Sequence, residues 1–368
     1  MNLRCIMLLL FLIFGPTLST QVVIKDLKTK EPIPFVHIFD SQGFLGAVSD
    51  INGKITPEDI QLLTQSPETM LNIQHIAYET KEIISSRLTD SKEIYLAERA
   101  VPLNEVVITP QTEGYDYIRL QTYFRSYVLQ NNEPLYYVDG VASYYIPRQK
   151  RKTRITLDQH RVFHNKQLDA KNKLNSFFVS ISNKPGLADQ IDVLNELSRK
   201  YHFQDSETGQ QIVIKDSVVG HLYHTPETKL TTVYLDRIAP DSIKSFKLGS
   251  LRIEKNRWYG STQYVSFSPD EKLDASDIQS VKEFYSTIFT NNKKDMTVEV
   301  ETLKEVYLLG KSFLNKDEIP KKEFVKSHQI PTISEYQTEY WKTLNQRNIP
   351  PIDPNFEKRL GELLIMEE

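Results

Sequence analysis

The stretch GAVSDINGK, Gly46–Lys54, marks the first domain of this chain as β-structure. An apolar run ends there in Asp50-Ile51-Asn52-Gly53. Asn-Gly is a strong turn signal because both residues tolerate positive φ. Upstream, EPIPFVHIF (Glu31–Phe39) places the proline turn Lys30–Pro34 ahead of the strand Phe35–Phe39, apolar on both faces. Val22-Val23-Ile24 opens another strand, Leu71–Ile76 alternates as a half-buried strand does, and Ile94-Tyr95-Leu96 follows. Short strands punctuated this regularly by turns predict a β-sandwich from Val22 to about Leu96.

The composition agrees. The chain has 368 residues, enough for two domains or three. It is 39% hydrophobic and 25% charged, neither a disordered acidic tail nor a membrane bundle. Glycine is scarce at 13 and aromatics reach 10%, which suits strands. Forty-five Lys+Arg against 48 Asp+Glu give a formal charge of −3, so no basic excess marks a nucleic-acid binder, and no nucleic-acid partner is expected.

The N-terminus predicts export. Arg4 precedes an apolar run, Cys5–Phe14, and then Gly15–Gln21, with Thr17 and Ser19 as small residues before a cut after Ser19 or Thr20. This is the pattern of a secretory signal peptide over residues 1–20. The run is about half the ~20 residues that span a bilayer; the alternatives are an uncleaved anchor or a buried helix. Cys5 is the only cysteine, so the mature chain has no disulfide and no thiol chemistry.

The order of pieces from Val22 onward resembles the carboxypeptidase regulatory-like domain found across Bacteroidota, a seven-stranded transthyretin-like β-sandwich. The matching residues are the opening strand, Glu31–Phe39, Gly46–Lys54, Leu71–Thr80, Glu93–Glu98 and LNEVVITP, Leu103–Pro110. Ile55 stands where the family has an aromatic residue, and Pro57-Glu58-Asp59-Ile60 follows. Despite its name, the module has no peptidase chemistry. It is chiefly an N-terminal part of outer-membrane receptors and surface proteins, so the resemblance implies the outer membrane or periplasm and an envelope protein partner. In the receptors the segment after it resembles a TonB box, which adds as a strand to a partner. Here that segment offers Leu103, Glu105, Val106, Val107 and Ile108, either as such a partner-binding strand or as a linker or edge strand. The expected organisation is a sandwich over 21–100, a linker over 101–114, an α+β domain with a curved antiparallel sheet over 115–330, and a helical tail over 331–368. Asp50-x-Asn52-Gly53 also starts like a calcium loop, but the glycine comes too early, and turn chemistry explains the same residues.

In the second region Tyr115–Arg125 is expected to open with a short helix, and Leu135–Ile146 reads as strands. Gln211–Ile214, Lys229–Leu235, Ser242–Ile253, Ser261–Phe267 and Met296–Leu309 are further strands. Leu187, Ile191, Leu194, Leu197 and Tyr201 recur at helical spacing, as do Ile278, Val281, Tyr285, Ile288 and Phe289, the latter behind a Ser276/Gln279 capping box. Three blocks resemble recurring features of uncharacterised Bacteroidota envelope proteins: Tyr123-Phe124-Arg125, YVDGVASYY (Tyr137–Tyr145) and YWK…NIPP (Tyr340–Pro351).

The candidate chemistry is sparse. His224 and Glu227 fit His-x-x-Glu, and His328 lies about where a metallocarboxypeptidase would have its third ligand. The flanking residues do not resemble that family, and a two-residue match arises by chance, so this hydrolase reading is an alternative. The pairs His160/His164 and His221/His224 read as solvated histidines. The sharpest cluster is the basic run of Arg148, Lys150, Arg151, Lys152 and Arg154 between Ile146 and Ile155, flanked by Tyr136, Tyr137, Tyr144 and Tyr145. It suits an anionic glycan or lipid surface, or is a solvated hairpin tip. No phosphate loop or serine elbow is present, and no catalytic residue and no cofactor are expected. The leading expectation is an exported envelope protein with a non-catalytic binding or assembly role; a hydrolase and a TonB-linked accessory are the alternatives.

Overall fold

The computed structural model describes residues 21–33, 36–40, 45–50, 52–75, 78–97, 114–131, 133–149, 152–175, 186–188, 191, 194, 201–206, 209–214, 216–226, 228–236, 245–293, 295–321, 324–326, 330–347, 349–352 and 354–368. The fold is β-rich, as expected. The chain divides into two compact units, residues 1–101 with 352–356, and residues 102–351 with 357–368.

In the first unit β1 (Val22–Asp26), β2 (His37–Phe39), β3 (Leu45–Val48), β4 (Lys54–Ile55), β5 (Met70–Gln74), β6 (Lys81–Ile84) and β7 (Glu93–Leu96) form two sheets, ordered β4-β1-β7 and β3-β2-β5-β6. Val22, Ile24, Ile55 and Leu96 of one sheet share an apolar cluster with Ile38, Ala47, Leu71 and Ile73 of the other. The turn before β4 is built as its residues demand. Asp50 Oδ1 accepts from the backbone N–H groups of Asn52 and Lys54, both at 2.8 Å. Gly53 sits at φ 69°, where a Cβ would stand 2.5 Å from the Ile24 carbonyl oxygen. After β4 a helix, α1 (Pro57–Leu63), begins. Thr56 caps it by accepting from the Asp59 N–H at 3.1 Å, with Pro57 in the first turn. α2 (Arg87–Asp90) is a single turn that buries Leu88.

The second unit is one large curved antiparallel sheet. Its elements in chain order are β8 (Tyr117–Gln130), β9 (Glu133–Pro147), β10 (Arg154–His164), α3 (Lys166–Asn175), β11 (His202–Ser206), β12 (Gly209–Ile214), β13 (Ser217–Thr225), β14 (Leu230–Asp236), β15 (Ser245–Leu248), β16 (Leu251–Val265), β17 (Ile278–Asn291) and β18 (Met296–Leu314). A 3-10 helix at Tyr340–Arg347, α4 (Pro354–Leu363) and β19 (Ile365–Met366) follow. The strands lie side by side as β11-β12-β13-β14-β16-β17-β18-β8-β9-β10-β19, with β15 paired to β16. Thus β18, the last long strand, returns beside β8, the first.

One face of this sheet is apolar. Leu120, Phe124, Val138, Tyr144, Val162, Val233, Leu235, Val281 and Val306 belong to a single buried cluster that also takes in Leu187, Ala188 and Ile191. Sheet side chains hold that last segment by its backbone: Lys304 Nζ donates to the Leu187 carbonyl at 3.0 Å, Tyr144 to the Ala188 carbonyl at 3.4 Å, and Tyr264 accepts from the Leu194 N–H at 3.3 Å. The helix expected across Leu187–Tyr201 lies mostly outside the described residues.

Two expectations are corrected here. Ile278–Phe289 is a strand, not a helix. β17 is an inner strand with buried residues on both faces, so its apolar positions do not alternate and mimic helical spacing. Its start is marked by a capping box between Asp274 and Asp277, not Ser276 and Gln279. Tyr115–Arg125 likewise holds no helix; it runs into β8.

Candidate functional site

The basic run sits where β9 turns into β10. Tyr145 is opposite Arg154, and Arg148 and Lys152 flank the connection as exposed residues. Lys150 and Arg151 lie outside the described residues. The structure adds a second basic stretch that sequence reading did not connect to the first. Val325 pairs with Ile155 in an antiparallel bridge, its N–H donating to the Ile155 carbonyl at 2.9 Å. That bridge brings Lys326, which is exposed, to the start of β10.

Aromatic rings set the cations in place. The Arg154 guanidinium lies 5.1 Å from the centre of the Phe324 ring, which meets Tyr145 edge-on at 6.1 Å. The Arg148 guanidinium lies 5.3 Å from the Tyr115 ring, and its backbone N–H donates to the Asp116 carbonyl at 2.9 Å. Rings hold guanidinium faces and leave their N–H edges outward. The Asp158 carboxylate accepts from Ser143 at 2.8 Å and from Thr156 at 3.3 Å. Among the described residues no carboxylate lies within ion-pair distance of Arg148, Lys152, Arg154, Lys321 or Lys326.

The flanking tyrosines divide. Tyr145 belongs to the corner, and Tyr144 faces the apolar cluster. Tyr136 and Tyr137 stand near the far end of β9, opposite His164 and Phe163, and so do not contribute to the basic run.

On the opposite face from the apolar cluster, a row of charges crosses five strands in register. Lys282 on β17 faces Glu305 on β18, which faces Arg125 on β8, then Asp139 on β9, then Arg161 on β10. The signs alternate along the whole row. Lys282 Nζ is 3.1 Å from Glu305, Arg125 pairs with the same carboxylate, and Arg161 holds Asp139 by bonds of 2.9 and 2.5 Å. Tyr137 donates to Asp139 at 3.0 Å. The 3-10 helix and the chain after it cover the β8–β10 part of this row. Tyr340 donates to Asp139 at 2.8 Å, Trp341 stacks 3.8 Å from the Arg161 guanidinium, and Arg125 donates to the Pro350 carbonyl at 2.8 Å. The three blocks singled out by resemblance, Tyr123–Arg125, Tyr137–Tyr145 and Tyr340–Pro351, therefore meet at one place.

The electrostatics of this row are those of a closed structural network. Burial opposes the charge on Glu305, but Arg125 and Lys282 overcome it and hold the carboxyl well below the usual carboxylate range. Burial drives the hydroxyls of Tyr123, Tyr127, Tyr137, Tyr307 and Tyr340 well above the ordinary tyrosine value. They stay protonated donors, so none of these groups is poised as a general base near neutrality.

The remaining candidates are not drawn into a centre. His224 Nδ1 is 3.1 Å from Thr231 Oγ1 and 3.4 Å from Ser266 Oγ; Glu227 and His328 lie outside the described residues. Among the described residues no group of three His, Asp or Glu could hold a metal ion. Leu103, Glu105, Val106, Val107 and Ile108 also lie outside the described residues. His160 is not solvated as expected: it is buried and its Nε2 meets the Ile333 carbonyl at 2.8 Å. No protein-family model matches the chain, and no curated protein sequence matches it.

Proposed function

We propose that this chain is an exported envelope protein that binds rather than catalyses, and that its basic corner attaches it to an anionic lipid surface. The observation that carries this reading is the meeting of the basic run at Arg154 with Val325 and Lys326 of a second basic stretch, around Phe324 and Tyr145. Clustered exposed cations interleaved with aromatic rings suit a negatively charged headgroup layer, where the charges attract and the rings tolerate the interface. The leader-like run Cys5–Phe14 supports an envelope location, as does the resemblance of the first domain to an outer-membrane module.

The test is co-sedimentation of the mature chain with phosphatidylcholine vesicles with and without phosphatidylglycerol. The parent should bind only the anionic vesicles. A variant carrying R148Q, K152Q, R154Q and K326Q should bind at least about tenfold more weakly, since each cation near such a surface contributes about 1 kcal/mol before screening. Binding of the parent should fall as salt shortens the Debye length below ~8 Å. Equal sedimentation of parent and variant at low salt would refute the proposal, and binding to an anionic glycan but not to vesicles would replace it.

A further inference from the structure

β10 would form an edge of the large sheet were it not covered by chain from beyond residue 330. Glu335 exchanges both backbone bonds with His160, at 2.7 and 2.9 Å. Ser334 accepts from the Val162 N–H through its hydroxyl at 3.0 Å, and its own N–H donates to the Glu367 carbonyl at 2.8 Å. Glu367 in turn donates its N–H to the Val162 carbonyl at 2.8 Å, while β19 pairs Met366 with Phe163 and Ile365 with His164. Glu367 is thus the clasp that ties both covering segments to β10.

The side chain of that clasp faces His164. The imidazole lies between two carboxylates from different elements, Nδ1 3.7 Å from Glu367 Oε1 on the β19 side and Nε2 3.8 Å from Asp169 Oδ2 of α3. Its ring stacks at 4.3 Å, tilted only 6°, on Tyr136 of β9. Lys166 of α3 reaches the other Glu367 oxygen at 3.1 Å. Glu367 Oε1 is buried and accepts no hydrogen bond, a costly state for a carboxylate oxygen.

We infer that His164 is a proton-operated fastener for the covering of β10. A protonated ring attracts both carboxylates and compensates the bare oxygen of Glu367; a neutral ring attracts neither. The covering is therefore tighter on the acid side of the histidine range and looser above it, where the β10 edge becomes more accessible. His160, four residues earlier on the same strand, does not share this role. Burial keeps its ring neutral to lower pH than usual, so it bonds the Ile333 carbonyl unchanged through the same window.

The measurement is amide exchange of the mature chain by mass spectrometry, followed on the peptide that contains Glu367 and corrected for the intrinsic pH dependence of exchange. Between pH 8 and pH 6 its protection should rise about tenfold, the effect of one unit of differential proton affinity. In H164Q the rise should vanish while peptides from β16 and β17 keep the parent's protection. If H164Q does not fold, E367Q serves in its place: it removes one facing carboxylate and should cut the rise by at least half. Protection in the parent that is flat or falls from pH 8 to pH 6, or a full rise in either variant, overturns the inference.

Discussion

Replacing Asp139 with asparagine tests whether the charge row holds its covering segment. Asp139 is almost fully buried and accepts from Arg161 twice, from Tyr137 and from Tyr340. Asparagine keeps the shape but removes the charge and turns an N–H₂ group toward donors. Arg161 then loses its ion pair while its side chain is only 15% exposed. Removing one partner of a buried pair costs about 3–5 kcal/mol, and the partial exposure of Arg161 places D139N near the lower end. At about 2–4 °C per kcal/mol for a unit of this size, the transition of the second unit should fall by about 6–12 °C. Thermal unfolding followed by circular dichroism reads the loss. Trp341, stacked on Arg161, should report a loosened cover by a shift in fluorescence before global melting. The matched control is E339Q, which breaks the exposed Glu339–Lys342 pair and should cost only a few tenths of a kcal/mol. A D139N loss no larger than the E339Q loss, with unchanged Trp emission, would refute the idea that this row is an energetic anchor.

Two further substitutions test neighbouring parts of the same architecture. Because the folded state holds the Glu305 carboxyl below its unfolded value, its contribution is present above the unfolded range near about 4.3 and is lost as pH falls below it. Urea unfolding at stepped pH should therefore show stability declining below about pH 5 more steeply in the parent than in E305Q; parallel curves would contradict this. Gly140 faces Phe124 across the β8–β9 pair, and a Cβ there would collide with the Gln159 carbonyl and stand 2.7 Å from the Phe124 ring. G140A should lose about 1–3 kcal/mol in the same assay, and a neutral result would mean that the β10 bulge yields at no cost.

The residues legible from sequence are those whose structure is decided locally. Asp50–Gly53 reads as a turn because the Asp50 side chain bonds the next backbone N–H groups and Gly53 needs positive φ, neither of which depends on distant chain. β5 is a strand as read, but Asn72 is buried together with Leu71 and Ile73, so the half-buried alternation does not hold there; the hairpin between β9 and β10 shows its exposed Arg148 and Lys152. β17 fails for the opposite reason. As an inner strand it places Val281 on the apolar cluster and Lys282 in the charge row, so adjacent positions are both needed and period 2 is erased. Its Thr, Val, Phe and Tyr content points to a strand, against the apparent helical spacing of its apolar residues.

The second basic stretch was illegible for a different reason. Lys326 looks ordinary beside Asp317, Glu318 and Glu323, and it is the bridge from Val325 to Ile155 that brings it to Arg154. The charge row shows the same limit more strongly. No local pattern joins Arg125, Asp139, Arg161, Lys282 and Glu305, because their relation is sheet register, set by strand pairings up to 180 residues apart in sequence. Yet each sign in the row has a physical requirement that its neighbours create. A buried arginine on β8 is tolerable only with carboxylates opposite on β9 or β18, and the Asp139 carboxylate in turn demands the cation on β10. The alternation therefore specifies pairing: a slip of any of these strands by one residue would turn its charge onto the apolar face and leave its neighbours' charges uncompensated. Tyr340 and Trp341 extend that logic to the cover, since they seat on the Asp139–Arg161 end of the row. The row fixes both the order of the central strands and the place where the covering chain must land. The basic corner and the β10 edge, at which the binding and the proton-operated fastening are proposed, follow from that placement.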